Sequence, residues 1–392
     1  MSPYIDKCSN INNCSKEPNR DGTLRKINQM EPWIGEEEKN AVIQYLNSGG
    51  WLTEFEHTRN FEQMIADYVG SKYAVAVNNG TVSLTVATMG LEIGRDDEII
   101  IPDFTMIASP NSVILAGAKP VFVDISRENL CVDLNLLEDA ISPKTKAIMF
   151  VSMNGRCTDM ERLKSIADRH NLFLIEDAAQ SLGSKCGNKS LGTFGHVGSF
   201  SFSSPKIITT GQGGVLVTDN NDLYRRMKMI KDFGRSTSGG GLSGTDFHEI
   251  LGFNFKFTDL QAVIGIEQMK KLQWRVERKK SMFKLYHDLL TSIPQIEFIN
   301  TNIVDTSPWF IDIIVKESRD ELACFLKTKG IGTRCFYPAI HSQPPYSYVR
   351  GEFPNSVWAS RSGLWLPSSS FLDDDDIHYV CEQVSAFFKR NQ

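Results

Sequence analysis

Hydrophobic and polar positions switch between two periods along the chain. Residues 1 to about 25 are polar and rich in Asn, Ser, Lys and Asp, and read as a flexible arm. From Gly35, GEEEKNAVIQYLNSGG has helical spacing and is closed by Gly49 and Gly50. From Tyr73 onward, short apolar runs (YAVAVNN, EIIIPDF, KPVFVDI, KAIMFVSM, LFLIEDAAQ) alternate with helical stretches (SLTVATMGL, SPNSVILAG, NLLEDAI, DMERLKSIADRHN). Parallel strands need a crossover, and a helix supplies it, so this order predicts a mostly parallel sheet covered on both faces. Right-handed crossovers gather the strand C-termini, and ligand groups with them, on one edge. After Gly192 the pattern changes. GSFSFSSPKIITTGQGGVLVTD holds two alternating β segments around a Gly-rich turn, with no helix between them. RSTSGGGLSGTD reads as a mobile loop. A long amphipathic helix from about Leu260 to Leu290 then leads into fewer, shorter elements (WFIDIIVK, DELACFLKTKG, DDIHYVCEQVSAFFKR). The expected organisation is an arm over 1–27, a large domain over 28–275 and a small C-terminal α+β domain over 276–392.

A chain of 392 residues with 41% hydrophobic content can bury a large core. The formal net charge of −5, with no basic stripe, gives no electrostatic footprint for nucleic acid. The longest apolar runs, such as Ala147–Val151, are strand-length and far short of a membrane span. The polar N-terminus lacks the apolar core of a secretory signal, so a cytoplasmic protein is expected. Cysteines at 8, 14, 131, 157, 186, 324, 335 and 381 form no CxxC pair and have no zinc-ligand spacing. They are expected to be reduced thiols. The acidic run Asp373–Asp376 opens a terminal helix, where carboxylates complement the dipole, and no metal is expected there.

Three features carry chemistry. Asp177 in LFLIEDAAQS stands just past an apolar strand, at the edge where open α/β sheets bind ligands. A carboxylate there can pair with a cationic ring nitrogen, though a helix cap or structural acid has the same appearance. Lys206 in FSFSSPKIITTGQGG lies between two β segments, where burial would favour its neutral, nucleophilic amine over a solvated ammonium. In NNGTVSL (residues 78–84) a β run ends and a helix begins, which brings amides, the Thr81 hydroxyl and the positive helix end together as an anion site. Alone each is weak. Together they describe a ligand with a phosphate, a protonated ring nitrogen and an aldehyde, and pyridoxal 5'-phosphate has all three.

The chain resembles the DegT/DnrJ/EryC1/StrS family of sugar aminotransferases from about residue 28 to 388. WLT at 51–53, NNGTVSL, PDFTMIAS, KPVFVDI, EDAAQSLGS, the run from GTFG to the Gly pair after Gln212, GFNFKFTDLQAVIG and GIGTR with the later YPAIH carry the resemblance. It implies an aspartate-aminotransferase-like fold type I, with a large mixed, mostly parallel sheet and a smaller C-terminal α+β domain. It also implies residue roles. Lys206 matches the lysine that holds the cofactor as a Schiff base, Asp177 the acid on the pyridine nitrogen, and Gln180 the residue beside the phenolic oxygen. Gly80, Thr81 and Ser201 match phosphate-binding positions. Asn254 matches a residue that reaches the phosphate of the neighbouring subunit, which implies a homodimer with shared active sites.

Several positions depart from the family pattern. Met106 stands where an aromatic residue often stacks on the ring, and a thioether packs there without ring-on-ring contact. Lys256 replaces a more usual Arg, turning a fork into a point charge. Gln212 replaces Glu, and Glu54 replaces a common Gly. His341 matches a histidine near the substrate entrance, or is a loop histidine. The expected reaction takes an amino group from an amino acid, L-glutamate in most of the family, to a keto sugar, making an amino-deoxy sugar for surface polysaccharide of the O-antigen type. The leading acceptor is a nucleotide-linked 4-keto-6-deoxy hexose, as in perosamine-type synthases. The changes at Glu54 and Lys256 keep a free oxidised sugar acid, of the 8-amino-3,8-dideoxy-octulosonate type, as the alternative. A sugar dehydratase of the same family would have His in place of Lys206.

Overall fold

The computed structural model describes residues 26–236 and 247–390. The expected arm before residue 26, and all but the first two residues of the expected mobile loop, lie outside the described residues. Helices α1 (Glu36–Asn47) and α2 (Glu56–Val69) lead into β1 (Tyr73–Val77). Strand and helix then alternate through α3 (Gly80–Gly90), β2 (Glu98–Pro102), α4 (Ala108–Leu115), β3 (Lys119–Val123), α5 (Leu134–Leu137), β4 (Thr145–Val151), α6 (Met160–Arg169) and β5 (Phe173–Asp177). A small hairpin, β6 (Lys185–Cys186) and β7 (Lys189–Ser190), precedes β8 (Val197–Ser201), β9 (Gly214–Thr218) and α7 (Asn221–Lys231). Next come α8 (Asp259–Lys270), α9 (Leu272–Leu290), β10 (Ile296–Glu297), β11 (Ile311–Val315), α10 (Arg319–Thr328) and β12 (Arg334–Cys335). The last elements are α11 (Pro354–Ser362), β13 (Gly363–Leu366) and α12 (Asp374–Arg390). Side chains of Asn79, Asp159, Asn220 and Thr258 each accept an N–H at the start of a helix and set where it begins.

The main sheet has seven strands in the order β1-β9-β8-β5-β4-β2-β3. Pairs from β3 to β8 are parallel, while β9 runs antiparallel to both β1 and β8. The reversal has a local cause: no helix separates β8 from β9, so the chain returns beside the strand it left. The central strands are buried on both faces. Ile148, Phe150 and Leu174 enter one core, and Ala147, Met149 and Ile175 enter the core on the opposite face. This is the mixed, mostly parallel sheet the sequence predicts.

The helix expected over 260–290 is two helices, broken at Lys271. Lys271 (φ −96°, ψ −6°) caps the end of one helix and the start of the next, and its ammonium reaches Glu37 and Glu38 at the start of α1, each at 2.8 Å. Along α9, Leu272 and Val276 pack with Phe61, Ala178 and Phe202, whereas Met282, Phe283, Tyr286 and Leu290 pack under a second sheet. That sheet is antiparallel, in the order β10-β11-β13-β12. Ile27 bridges to Ile331 and joins the core beneath it, so the first described residues lie against the small sheet. Arg156, after β4, forms a buried bidentate pair with Asp312 on β11, at 2.8 and 2.6 Å, and ties the two sheets together. Cys131, Cys157, Cys186 and Cys381 are thiols, but Cys324 is disulfide-bonded, which corrects the all-thiol expectation.

Candidate active site

Strand register brings the predicted residues to one sheet edge. Asp177 ends β5 and pairs with Ser199 of β8. Two residues on, Ser201 pairs with Gly214 of β9, and Gly214 also pairs with Val77, three residues before Gly80. The ends of four strands therefore line up, and α3 opens beside them. Asn79 caps α3 by accepting the Val82 N–H at 2.9 Å, which leaves the amides of Gly80 and Thr81 at the mouth of the helix. A Cβ on Gly80 would lie 2.9 Å from Ser201 Cβ and 3.0 Å from its Oγ. Glycine thus lets the Ser201 hydroxyl stand against the helix N-terminus, in a cradle that any side chain would fill.

Asp177 is buried. Its Oδ2 accepts from the Ser109 hydroxyl at 2.6 Å and its Oδ1 from the Ala179 N–H at 3.2 Å. Burial pushes its pKa up, and the Ser109 and Ala179 donors and the Lys206 charge pull it back. Lys206 lies in the β8–β9 connection with Nζ 4.1 Å from the centroid of the Trp309 ring. It retains some exposed surface, yet its amine is surrounded by protein. Burial pushes that amine down to about 8, opposed by the Asp177 charge and reinforced by Arg334. An amine at that level is a ready nucleophile near neutral pH. Gln180 is buried, and its Oε1 accepts the Asn154 N–H at 2.8 Å, so its –NH2 is the end left to donate. Met106, 44% exposed, precedes α4, and its carbonyl accepts from the Ser109 N–H at 3.1 Å.

Asn254, Lys256 and His341 are not brought into this cluster. Lys256 bridges Val77, and exposed Asn254 bridges Asp232, so both run along the outer side of edge strand β1. The Lys256 ammonium sits 2.7 Å from Asp232 and over the Phe233 ring at 4.4 Å. It lines a separate cavity of about 860 Å³ with Glu54, Arg59, Lys228 and Arg235. Glu54 pairs there with buried Lys231 at 2.9 Å, while its buried Oε2 has no hydrogen-bond partner among the described residues. His341 is bound through Nδ1 and its backbone N–H to Asp103, at 2.6 and 2.9 Å. Burial pushes Asp103 up to about 6, against the His341 hydrogen bonds.

Sequence reasoning missed Ser109, Asn154, Trp309 and Arg334. Ser109 lies in a segment that carries the family resemblance, and Asn154 is buried with a left-handed φ of 54°. Arg334 ends the GIGTR segment that carries the resemblance, though no role was read for it, and Trp309 comes to the site only through packing of the second sheet, so no local pattern marks it.

A family model described as DegT/DnrJ/EryC1/StrS aminotransferase matches residues 32–385. The chain belongs to this family. It is 34% identical over 368 residues to GDP-perosamine synthase of Escherichia coli O157:H7, covering 93% of this chain and 99% of that protein. It is 31% identical over 374 residues to the spore coat polysaccharide biosynthesis protein SpsC of Bacillus subtilis, covering 91% and 96%. Among solved structures, DesV of S. venezuelae in complex with a ketimine intermediate superposes with a TM-score of 0.84 at 31% identity, covering 90% of this chain and 94% of that one. The chain is therefore a pyridoxal-phosphate-dependent sugar aminotransferase with the fold type I architecture. A carboxylate at the strand ends, a lysine amine and a glycine cradle at a helix mouth suit that cofactor's ring nitrogen, aldehyde and phosphate.

Proposed function

We propose that this enzyme moves an amino group from L-glutamate to a nucleotide-linked 4-keto-6-deoxy hexose, as a homodimer, making an amino-deoxy sugar for surface polysaccharide. When bound, pyridoxal phosphate supplies an aldehyde carbon that condenses with amines and a cationic ring that draws electrons. Gly80, Thr81 and Ser201 bind its phosphate with two amides and a hydroxyl at the positive end of α3. Asp177 would pair with the protonated ring nitrogen, and the Ser109 and Ala179 donors favour its carboxylate form while burial opposes it. Gln180 donates its –NH2 to the phenolic oxygen, and Met106 covers one ring face. Lys206 holds the cofactor through its amine. Once freed by the donor amine, the Lys206 amine would be the base that takes up the donor's Cα proton and the acid that gives it back. The same steps in reverse aminate the sugar, so two-substrate kinetics follow a ping-pong pattern.

The observation that carries this reading is the register that aligns Val77, Gly214, Ser201 and Asp177 beneath the helix mouth. Similarity to GDP-perosamine synthases along nearly the full chain supports a nucleotide-linked acceptor. Exposed Asn254 and the cation-rich cavity beside it suit a second subunit's phosphate and an anionic acceptor. Lys256 at that cavity's rim and His341 near the entrance are the acceptor-side residues of this reading. The purified enzyme, loaded with pyridoxal phosphate and given L-glutamate, should turn over nucleotide-linked keto sugars. Turnover of sugar-acid aldehydes alone would replace the leading acceptor with the free oxidised sugar acid.

A further inference from the structure

Lys206 has an unusual neighbour for an amine that must carry a proton. Its Nζ stands over the Trp309 ring, and among the described residues no oxygen accepts a hydrogen bond from it. The ring itself is fixed. Its Nε1 donates to the carbonyl of Pro205, next to Lys206, at 2.7 Å. It stacks on Phe310 with centroids 3.8 Å apart and meets Trp365 edge-on at 5.8 Å. The Trp309 carbonyl accepts from buried Lys279 at 2.9 Å. Phe310 exchanges two hydrogen bonds with Asn154, at 2.8 and 2.7 Å, and the Asn154 N–H orients Gln180. On the other side of Lys206, Arg275 donates to the Ile207 carbonyl at 2.9 Å. The carbonyls of both residues next to the lysine are thus held, Pro205 by the indole itself and Ile207 by α9, which also holds the Trp309 carbonyl.

An aromatic face attracts an ammonium through its quadrupole but has no lone pair that takes the proton. A carboxylate or imidazole in the same place would compete for it. We propose that the Trp309 ring face is the seat of the protonated Lys206 amine between its two proton transfers, which makes Trp309 a positioning residue. The inference rests on Lys206 being the amine that moves the proton. The other charged groups facing Lys206 are Asp177 from β5, which favours the ammonium, and Arg334 from β12, which opposes it.

The test weakens the ring without changing its shape. Tryptophan carrying one to four fluorines is placed site-specifically at position 309 of the full chain. After cofactor removal, capture of pyridoxal 5'-phosphate by Lys206 is measured against pH, by borohydride trapping and quantification of the Lys206 peptide. With each fluorine the ammonium loses support, so the pH midpoint of capture should fall stepwise, by about 1 unit over the series. Trp309→Phe keeps an aromatic face and drops the Pro205 bond, and should shift the midpoint less than the fully fluorinated indole. A midpoint that stays fixed across the series overturns the proposal. Label on a lysine other than Lys206 overturns the reading of Lys206 itself, and this inference with it.

Discussion

Asp177→Asn removes a charge at nearly constant shape and isolates what that charge does. Two donors converge on the carboxylate, the Ser109 hydroxyl at 2.6 Å and the Ala179 N–H at 3.2 Å. A carboxamide has one oxygen, so one donor would face an –NH2 and lose its acceptor, a cost of about 1–3 kcal/mol in folding free energy. The functional loss is larger. The ring nitrogen would lose its buried counter-ion, and breaking a buried pair by removing one partner costs about 3–5 kcal/mol. At 1.36 kcal/mol per tenfold, that slows proton transfer by roughly 10²–10⁴-fold. The assay is a single turnover of the loaded variant with L-glutamate, followed by the cofactor's absorbance, beside a thermal melt and a measurement of bound cofactor. A variant that binds cofactor and reacts within tenfold of the parent would refute the assignment of Asp177 to the ring nitrogen.

Other outcomes follow from single contacts. Arg156→Met leaves Asp312 buried without its counter-charge and should cost about 3–5 kcal/mol in urea unfolding; a loss under about 1 kcal/mol would contradict the pair's burial. Gly80→Ala puts a methyl 2.9 Å from Ser201 Cβ and should weaken pyridoxal phosphate binding at least about tenfold by fluorescence titration, whereas unchanged affinity would count against the cradle. Burial lowers the Lys206 amine to about 8, so it loses its proton sooner than a solvated lysine does. Capture of pyridoxal phosphate should therefore rise with pH and level off above about 8, while a rise continuing toward the ordinary lysine value of 10.5 would show that the amine is solvated.

The large sheet was legible because its strands carry the pattern themselves. In TKAIMFV the stretch Ala147–Val151 is buried on both faces and reads as a continuous apolar run. The absence of a helix between Ser201 and Gly214 was also legible, and the antiparallel pairing of β8 with β9 is its structural consequence. The site was legible where a strand gives way to a polar turn, as at Asp177 and at the helix opening at Gly80, whereas Ser201 was named by resemblance and takes its place through strand register. What came from the second sheet was not legible. Trp309 reaches Lys206, and Arg156 reaches Asp312, across more than 100 positions of chain. The break at Lys271 carries no glycine or proline, since it coincides with a tertiary pairing to Glu37 and Glu38. Lys256 and Asn254 were named by resemblance, and in one chain they sit apart from Lys206, beside the cavity outside β1.

The most direct test of the central claim is chemical. The enzyme, purified with its cofactor, is reduced with borohydride, digested, and the pyridoxyl-bearing peptide is sequenced by mass spectrometry. The label should lie on Lys206, in the peptide that follows SFSSP. A label on any other lysine, or none at all in a protein that still transfers amino groups, would contradict the account.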